Sequence, residues 1–147
     1  MKTITITGHR PQRIRGQEKE IRDWIREQLQ ADAYDIAYSG MASGTDQIFA
    51  EVALECRIAL ECWYPFPPKE YHPNQERINM QAVEVKFTVS ERSEDIYTKR
   101  DREMIDVSDV VLAVFDGIKE GGTWRAIEYA ESIGKQVVYY PFKKEGD

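Results

Sequence analysis

Residues 108–123 read SDVVLAVFDGIKEGGT. Val110 to Phe115 is the most apolar run of the chain and predicts a strand buried on both faces. The loop after it, Asp116 to Thr123, carries Gly117, Gly121 and Gly122 and leads into an amphipathic stretch over 123–134. That stretch predicts a helix closed by Gly134. A buried strand, a glycine-rich loop and a helix in succession form the unit from which parallel α/β sheets are built.

The same alternation runs outward in both directions. Thr3 to Thr7 reads as a strand, and 17–31 as a helix with Ile21, Trp24, Ile25 and Leu29 on one side. Tyr34 to Ser39 is a second strand, and 45–58 a helix with Ile48, Phe49, Val52, Ala53 and Cys56 along one face. Leu60 to Tyr64 is a third strand, stopped by Pro65-Phe66-Pro67-Pro68. Helices are expected over 74–85 and 95–107, with a short strand at Lys86 to Val89 between them. Gln136 to Tyr140 closes the sheet, and 143–147 is a polar tail. Parallel neighbours need crossovers, which place helices on both faces. The expected fold is therefore a Rossmann-like, three-layer α/β domain spanning 1–147. It has a mainly parallel sheet of five to six strands flanked by helices, whose strand-to-helix loops share one ligand-binding edge.

The 147 residues, 41% of them apolar, suffice for one core, and no repeat or linker marks a domain boundary. No window is apolar enough to span a bilayer, and Met1 to Thr7 lacks the apolar core of a signal peptide, so a cytoplasmic location is expected, with no membrane partner. Cys56 and Cys62 read as packing residues. His9 and His72 are the only histidines and neither has a ligand-spaced partner, so no metal site is expected. Net charge is −6, but residues 1–30 carry a local +3, and Lys99, Arg100 and Arg102 form a second basic cluster. Two small basic patches on an acidic chain suit a small anion; the balance speaks against nucleic acid as a partner.

Four segments carry chemistry. Thr7-Gly8-His9-Arg10-Pro11 offers a close-approach glycine, a hydrogen-bonding ring and a guanidinium fork suited to phosphate; its bland reading is a polar turn. Ser39-Gly40-Met41-Ala42-Ser43-Gly44-Thr45-Asp46 leads into a helix, and its amides form a candidate anion cradle. The bland reading is a helix start capped by Ser43, Thr45 or Asp46. Ala37 stands where a nucleophile elbow needs glycine, which argues against Ser39 as a nucleophile. Gly121, Gly122 and Thr123 repeat the cradle after Asp116. In Tyr97-Thr98-Lys99-Arg100-Asp101-Arg102-Glu103-Met104, helical spacing puts Arg100 on one face with Tyr97 and Met104. There an arginine beside an aromatic ring suits phosphate plus base; the bland reading is a solvated helix laced with ion pairs.

The segments TGHRP (7–11), SGMASGTD (39–46), YTKRDREMID (97–106) and SDVVLAVFDG with GGT (108–123) together resemble the YpsA-like family of the SLOG superfamily, named for the Smf/DprA and Lonely Guy groups. The resemblance runs in order from residue 3 to about 141. It implies a nucleotide or nucleotide-derived ligand held by Gly8, Arg10, Ser39, Gly40, Gly44, Asp46, Arg100, Asp116, Gly121, Gly122 and Thr123, to which the reading of the segments adds Thr7, His9, Met41 and Tyr97. Mg²⁺ accompanying a phosphate through Asp46 or Asp116 is an option, and a homodimer is compatible with the superfamily. Lonely Guy-type phosphoribohydrolases use an arginine on the helix matching 97–106, a role Arg100 could fill, and a glutamate just after the GGT loop. Here Trp124-Arg125-Ala126-Ile127 follow Thr123, and Glu128 comes more than a turn along. With Arg100, Asp46 and Asp116 as the candidate catalytic groups, that signature is incomplete. The leading expectation is a non-catalytic nucleotide-binding or sensing domain. An N-glycosidase acting on nucleoside monophosphates is the alternative. A protein-interaction module using 63–68 is a third reading, though that segment, ending a strand on the ligand edge, reads first as a pocket wall.

Overall fold

In the computed structural model, residues 1–88 and 95–143 are described. The chain runs β1 (Thr3–Gly8), a single 3-10 turn (Pro11–Arg13), α1 (Glu18–Gln30), β2 (Ile36–Ser39) and α2 (Thr45–Glu55). It continues through β3 (Ala59–Tyr64), α3 (Pro73–Asn79), β4 (Glu84–Phe87), α4 (Ile96–Val107), β5 (Val110–Val114), α5 (Gly122–Ser132) and β6 (Gln136–Tyr139). The strands form one sheet in the order β4-β3-β2-β1-β5-β6, and every pairing is parallel.

Side-chain alternation along the strands sorts the helices into two layers. On β5, Val110, Leu112 and Val114 join the large core with Ile21 and Ile25 of α1 and Phe49 and Val52 of α2. Val111, pointing the other way, packs with Ile105 of α4 and Ala126 and Ala130 of α5. Tyr38 and Trp63 pack with Met104 of α4 on that same second face. Each large aliphatic side chain so buried contributes roughly 1.5–3 kcal/mol. The polar residues inside β1 are satisfied: Thr5 Oγ1 donates to the Tyr38 carbonyl at 2.8 Å and Thr3 Oγ1 to that of Val107 at 2.9 Å.

The chain leaves β1 toward β2, β3 and β4, then crosses to β5 and β6 on β1's other side. The loops after β1 and β5 therefore diverge, and the crevice they leave at the carboxyl edge is where doubly wound sheets bind ligands.

Two element boundaries differ from expectation. The helix expected over 74–85 ends at Asn79, and Glu84 and Val85 belong to β4. Pairing decides this: Val83 N–H donates to the Leu60 carbonyl at 2.9 Å, and Glu84–Phe87 align with Glu61–Tyr64. Val89, the expected end of that strand, lies outside the described residues, as do 144–147 of the tail. The helix expected to reach 58 ends at Glu55, because Arg57 turns back in the left-handed region at φ 59 while Ile58 N–H bonds the Ala53 carbonyl. Among the described residues, no helix is long and apolar enough to cross a membrane.

Candidate functional site

The four segments meet at the carboxyl edge. Thr7 to Arg10 at the end of β1, Asp46 at the start of α2, Tyr97 and Arg100 on α4, and Gly122 and Thr123 opening α5 line one open cavity of about 350 Å³. That volume lies at the lower end of the range for small-molecule sites.

The remaining expected residues support this cavity without lining it. The loop before α2 engages its own amides. Met41 N–H donates to Ser39 Oγ at 3.2 Å, Ala42 N–H to Asp46 Oδ2 at 3.3 Å, and Thr45 N–H to the His9 carbonyl at 3.2 Å. Gly44 caps α2 at φ 92, and a Cβ there would fall 2.7 Å from the His9 carbonyl oxygen. Met41 is buried in a left-handed conformation, its carbonyl accepting from Gln47 and Gln75. Ser39 Oγ donates to the Asp46 carbonyl. This loop thus joins β1 to α2, and three amides of the expected cradle, those of Met41, Ala42 and Thr45, are taken by the protein's own acceptors.

The start of α5 is open. Gly121 caps the helix at φ 92, no side chain caps it, and the N–H groups of Gly122 and Thr123 take no partner among the described residues. A Cβ at Gly122 would meet nothing within 4 Å, and one at Gly121 only Arg13 Nη1 at 3.7 Å. Positive dipole, open amides and a guanidinium therefore coincide at one edge of the cavity.

Arg100 is 5% exposed and anchored at three points. Its Nε donates to Asp101 Oδ1 at 2.9 Å, and its Nη1 to the carbonyls of Gly40 at 2.7 Å and Trp63 at 3.3 Å. Its guanidinium lies 5.6 Å from the centre of the Tyr97 ring, in keeping with the shared helix face. Gly40 is wedged between this guanidinium and Asp46: a Cβ there would fall 3.0 Å from Arg100 Cζ and 3.1 Å from Asp46 Oδ2. Burial pushes the Asp46 carboxyl up to about 7, against the opposing pull of Arg100, with Asp101 adding to the rise. Burial likewise raises Asp101, opposed by Arg100. Two reluctant carboxylates thus share the cavity with one largely engaged arginine.

Asp116 does not line the cavity. It clasps the loops beside it: Arg13 Nε and Nη2 each donate to its carboxylate at 2.8 Å, and Ile118 N–H does so at 3.0 Å. Burial pushes this carboxyl up, but the Ile118 N–H, Arg13 and His9 outweigh it and hold it below the usual range. His9 Nε2 accepts the Asp116 N–H at 3.0 Å, which assigns the ring proton to Nδ1. Burial lowers the His9 basicity despite the Asp116 carboxylate 3.2 Å away, so the ring is neutral at pH 7 and the contact is no ion pair. Of the two carboxylates named as an option for Mg²⁺, Asp116 is therefore engaged and Asp46 stands in the cavity. Among the described residues no three His, Cys, Asp or Glu side chains gather to hold a metal.

Gln12, Arg13, Ala42 and Asp101 line the cavity and were not singled out from the sequence. Asp101 was within reach, since it lies four residues after Tyr97 and so shares its helix face. Arg13 was not, because its position depends on the 3-10 turn at Pro11–Arg13. The expected pocket wall at 63–68 is absent from the lining; Trp63 and Tyr64 are each 4% exposed, and Pro65 is buried. Glu128 sits on the exposed face of α5, outside the cavity.

An all-parallel sheet whose strand order reverses between β1 and β5, with its cavity at that switch, defines a Rossmann-like fold. DNA processing protein A from Streptococcus pneumoniae superposes with a TM-score of 0.76 at 15% identity, over 99% of this chain and 52% of that one. The present chain thus spans about half the length of that protein. DNA processing protein A from Helicobacter pylori, described by its single-stranded DNA binding mode, gives 0.73 at 20% identity over 98% and 67%. The molybdenum cofactor carrier protein from Chlamydomonas reinhardtii gives 0.65 at 16% identity over 94% and 75%. No family profile and no curated protein matches the sequence. These likenesses establish the fold; they do not reach the YpsA-like branch.

They also correct one expectation. The acidic balance was read as speaking against nucleic acid, yet the H. pylori protein binds single-stranded DNA on this same fold. Net charge averages the whole surface, whereas a bound strand feels charges within about one Debye length, roughly 10 Å. The cations that matter here, Arg10 and Arg13, line the cavity together.

Proposed function

We propose that this chain binds a nucleotide-type ligand at the switch between β1 and β5, with its phosphate at the start of α5. One observation carries the reading. Open amides of Gly122 and Thr123, the guanidiniums of Arg10 and Arg13, and the exposed ring of Tyr97 surround a single cavity at the ligand edge of the sheet. Amides and guanidinium suit phosphate, and the ring suits a base. Arg100, engaged by Gly40, Trp63 and Asp101, shapes the wall. The ligand chemistry, a phosphorylated sugar with a base, can come from a free nucleotide or from a strand. Thermal melting with 5′-mononucleotides and with a short single-stranded oligonucleotide separates the two: the true ligand raises Tm with concentration as RT ln(1 + [L]/Kd). Arg10→Ala is expected to reduce that shift. No shift from either class overturns the reading.

The domain is read as non-catalytic, since Trp124 follows the GGT loop and Glu128 points away from the cavity. One observation favours the alternative of N-glycosidic cleavage: the Asp46 carboxyl, raised to about 7, is in the range useful for proton transfer. Chromatographic detection of base release, lost in Asp46→Asn, would establish that alternative.

A further inference from the structure

The geometry points to a ribose-selective site, in which Asp46 and Asp101 accept hydrogen bonds from the ligand's sugar hydroxyls. The inference rests on the nucleotide reading above and deepens it.

Both carboxylates line the cavity, and each keeps an oxygen in reserve. Asp46 Oδ2 takes the Ala42 N–H and Asp101 Oδ1 takes Arg100 Nε, while Asp46 Oδ1 and Asp101 Oδ2 have no hydrogen-bond partner among the described residues. A carboxylate oxygen is an acceptor only, so these two positions call for donors. As paired acceptors they disfavour an anion, and Arg100 beside them offsets little of that, with Nε and Nη1 engaged by protein acceptors and only Nη2 left without a partner among the described residues. A phosphate therefore belongs elsewhere in the cavity. Its place is the open start of α5, where Arg13 Nη1 also has no hydrogen-bond partner among the described residues.

These two chemistries are neighbours. Asp101 of α4 and Gly122 of α5 line the cavity together and also share a small cleft beside it. A small ligand that fills both must carry an anionic group and hydroxyl donors a few bonds apart, as a phosphorylated ribose does. Gly40 sustains the arrangement, because a Cβ there would press within 3.0 Å of Arg100 Cζ and 3.1 Å of Asp46 Oδ2 and make one of them give way slightly. A 2′-deoxy ligand offers one donor fewer and leaves a shielded acceptor unpaired, a loss that site-built hydrogen bonds make costly.

The test is calorimetric titration of the chain at pH 8 with each 5′-ribonucleotide and its 2′-deoxy counterpart. The ribo member is expected to bind about tenfold tighter, a difference of about 1.4 kcal/mol. Asp46→Asn and Asp101→Asn should each shrink that ratio, whereas Arg10→Ala should weaken both members alike and leave the ratio intact. Equal binding of the two members, or tighter binding of the deoxy member, overturns the inference while the nucleotide reading stands. If neither member binds for any base, the nucleotide reading fails and takes the inference with it. The ratio on the unaltered protein decides the matter even if a variant does not fold.

Discussion

The starts of α2 and α5 look alike in sequence, each a glycine-rich run after a strand on the same sheet edge, yet their amides are engaged to different degrees. Before α2, the amides of Met41, Ala42 and Thr45 are bonded by Ser39, Asp46 and His9, and Gly44 presses against backbone. Before α5, the amides of Gly122 and Thr123 take no partner among the described residues, and Arg13 lies beside Gly121. A glycine-rich helix start supplies amide donors; whether they serve the fold or a ligand depends on which acceptors the rest of the chain brings to them.

Substitutions at the glycines break this contrast most directly. Gly44→Ala combines φ 92 with a Cβ 2.7 Å from a backbone oxygen, and is expected to lose about 3 kcal/mol in denaturant unfolding. A loss under about 1 kcal/mol would mean that the joint yields to the added Cβ. Gly122→Ala, with open space around it, should stay within about 0.5 kcal/mol of the parent, while reducing any nucleotide-induced rise in Tm.

Asp46 sharpens the comparison, because it belongs to both the joint and the cavity. Its carboxyl titrates near 7 in the folded state against an ordinary 3.8. Between those values the folded chain holds more protons than the unfolded one, so this group's contribution to stability falls as pH rises from about 4 to 7. Asp46→Asn is therefore expected to stabilise the protein at pH 8 by on the order of 2 kcal/mol, allowing for the carboxylate's partial opening to the cavity. It keeps the bond from Ala42 and flattens the slope of stability over that window. Unchanged stability at pH 8 would show that the carboxylate is better solvated than its surroundings indicate. His9 works in the opposite sense: its basicity is lowered, so its contribution is full above its ordinary value of 6.5 and is lost as pH falls below it.

A small and local effect is expected from Arg13→Ala, whose side chain is 36% exposed. Losing its two bonds to Asp116 should cost about 1 kcal/mol or less. The loop from Gly117 to Gly121 should then exchange its amide hydrogens faster, with the rest of the sheet unaffected.

Much of this was legible beforehand. Strand β5 and helices α1, α2 and α5 emerged within a few residues of their expected bounds, because period-2 and period-3.6 patterns are set by which side chains face the core. Glu84 and Val85 were misassigned because a short edge strand has little pattern of its own and is ordered by its ladder with β3. At the site, Tyr97, Arg100 and Gly122 converged as expected. Asp116 did not join them, because Arg13, distant from it in the chain, turns it into a clasp.

The amino-acid order alone was enough for the layered parallel fold, the ligand edge and the four segments that meet there, since these follow from local periodicity and the chirality of crossovers. It could not say which glycine-rich loop stays open, that Asp101 joins Asp46 in the cavity, or that Arg100 is engaged from three directions. Those outcomes depend on contacts between residues far apart in the chain, such as Arg100 with Gly40, 60 positions away. Only the folded chain brings such groups to hydrogen-bonding distance, and only there does a neighbour's acceptor decide what remains for a ligand.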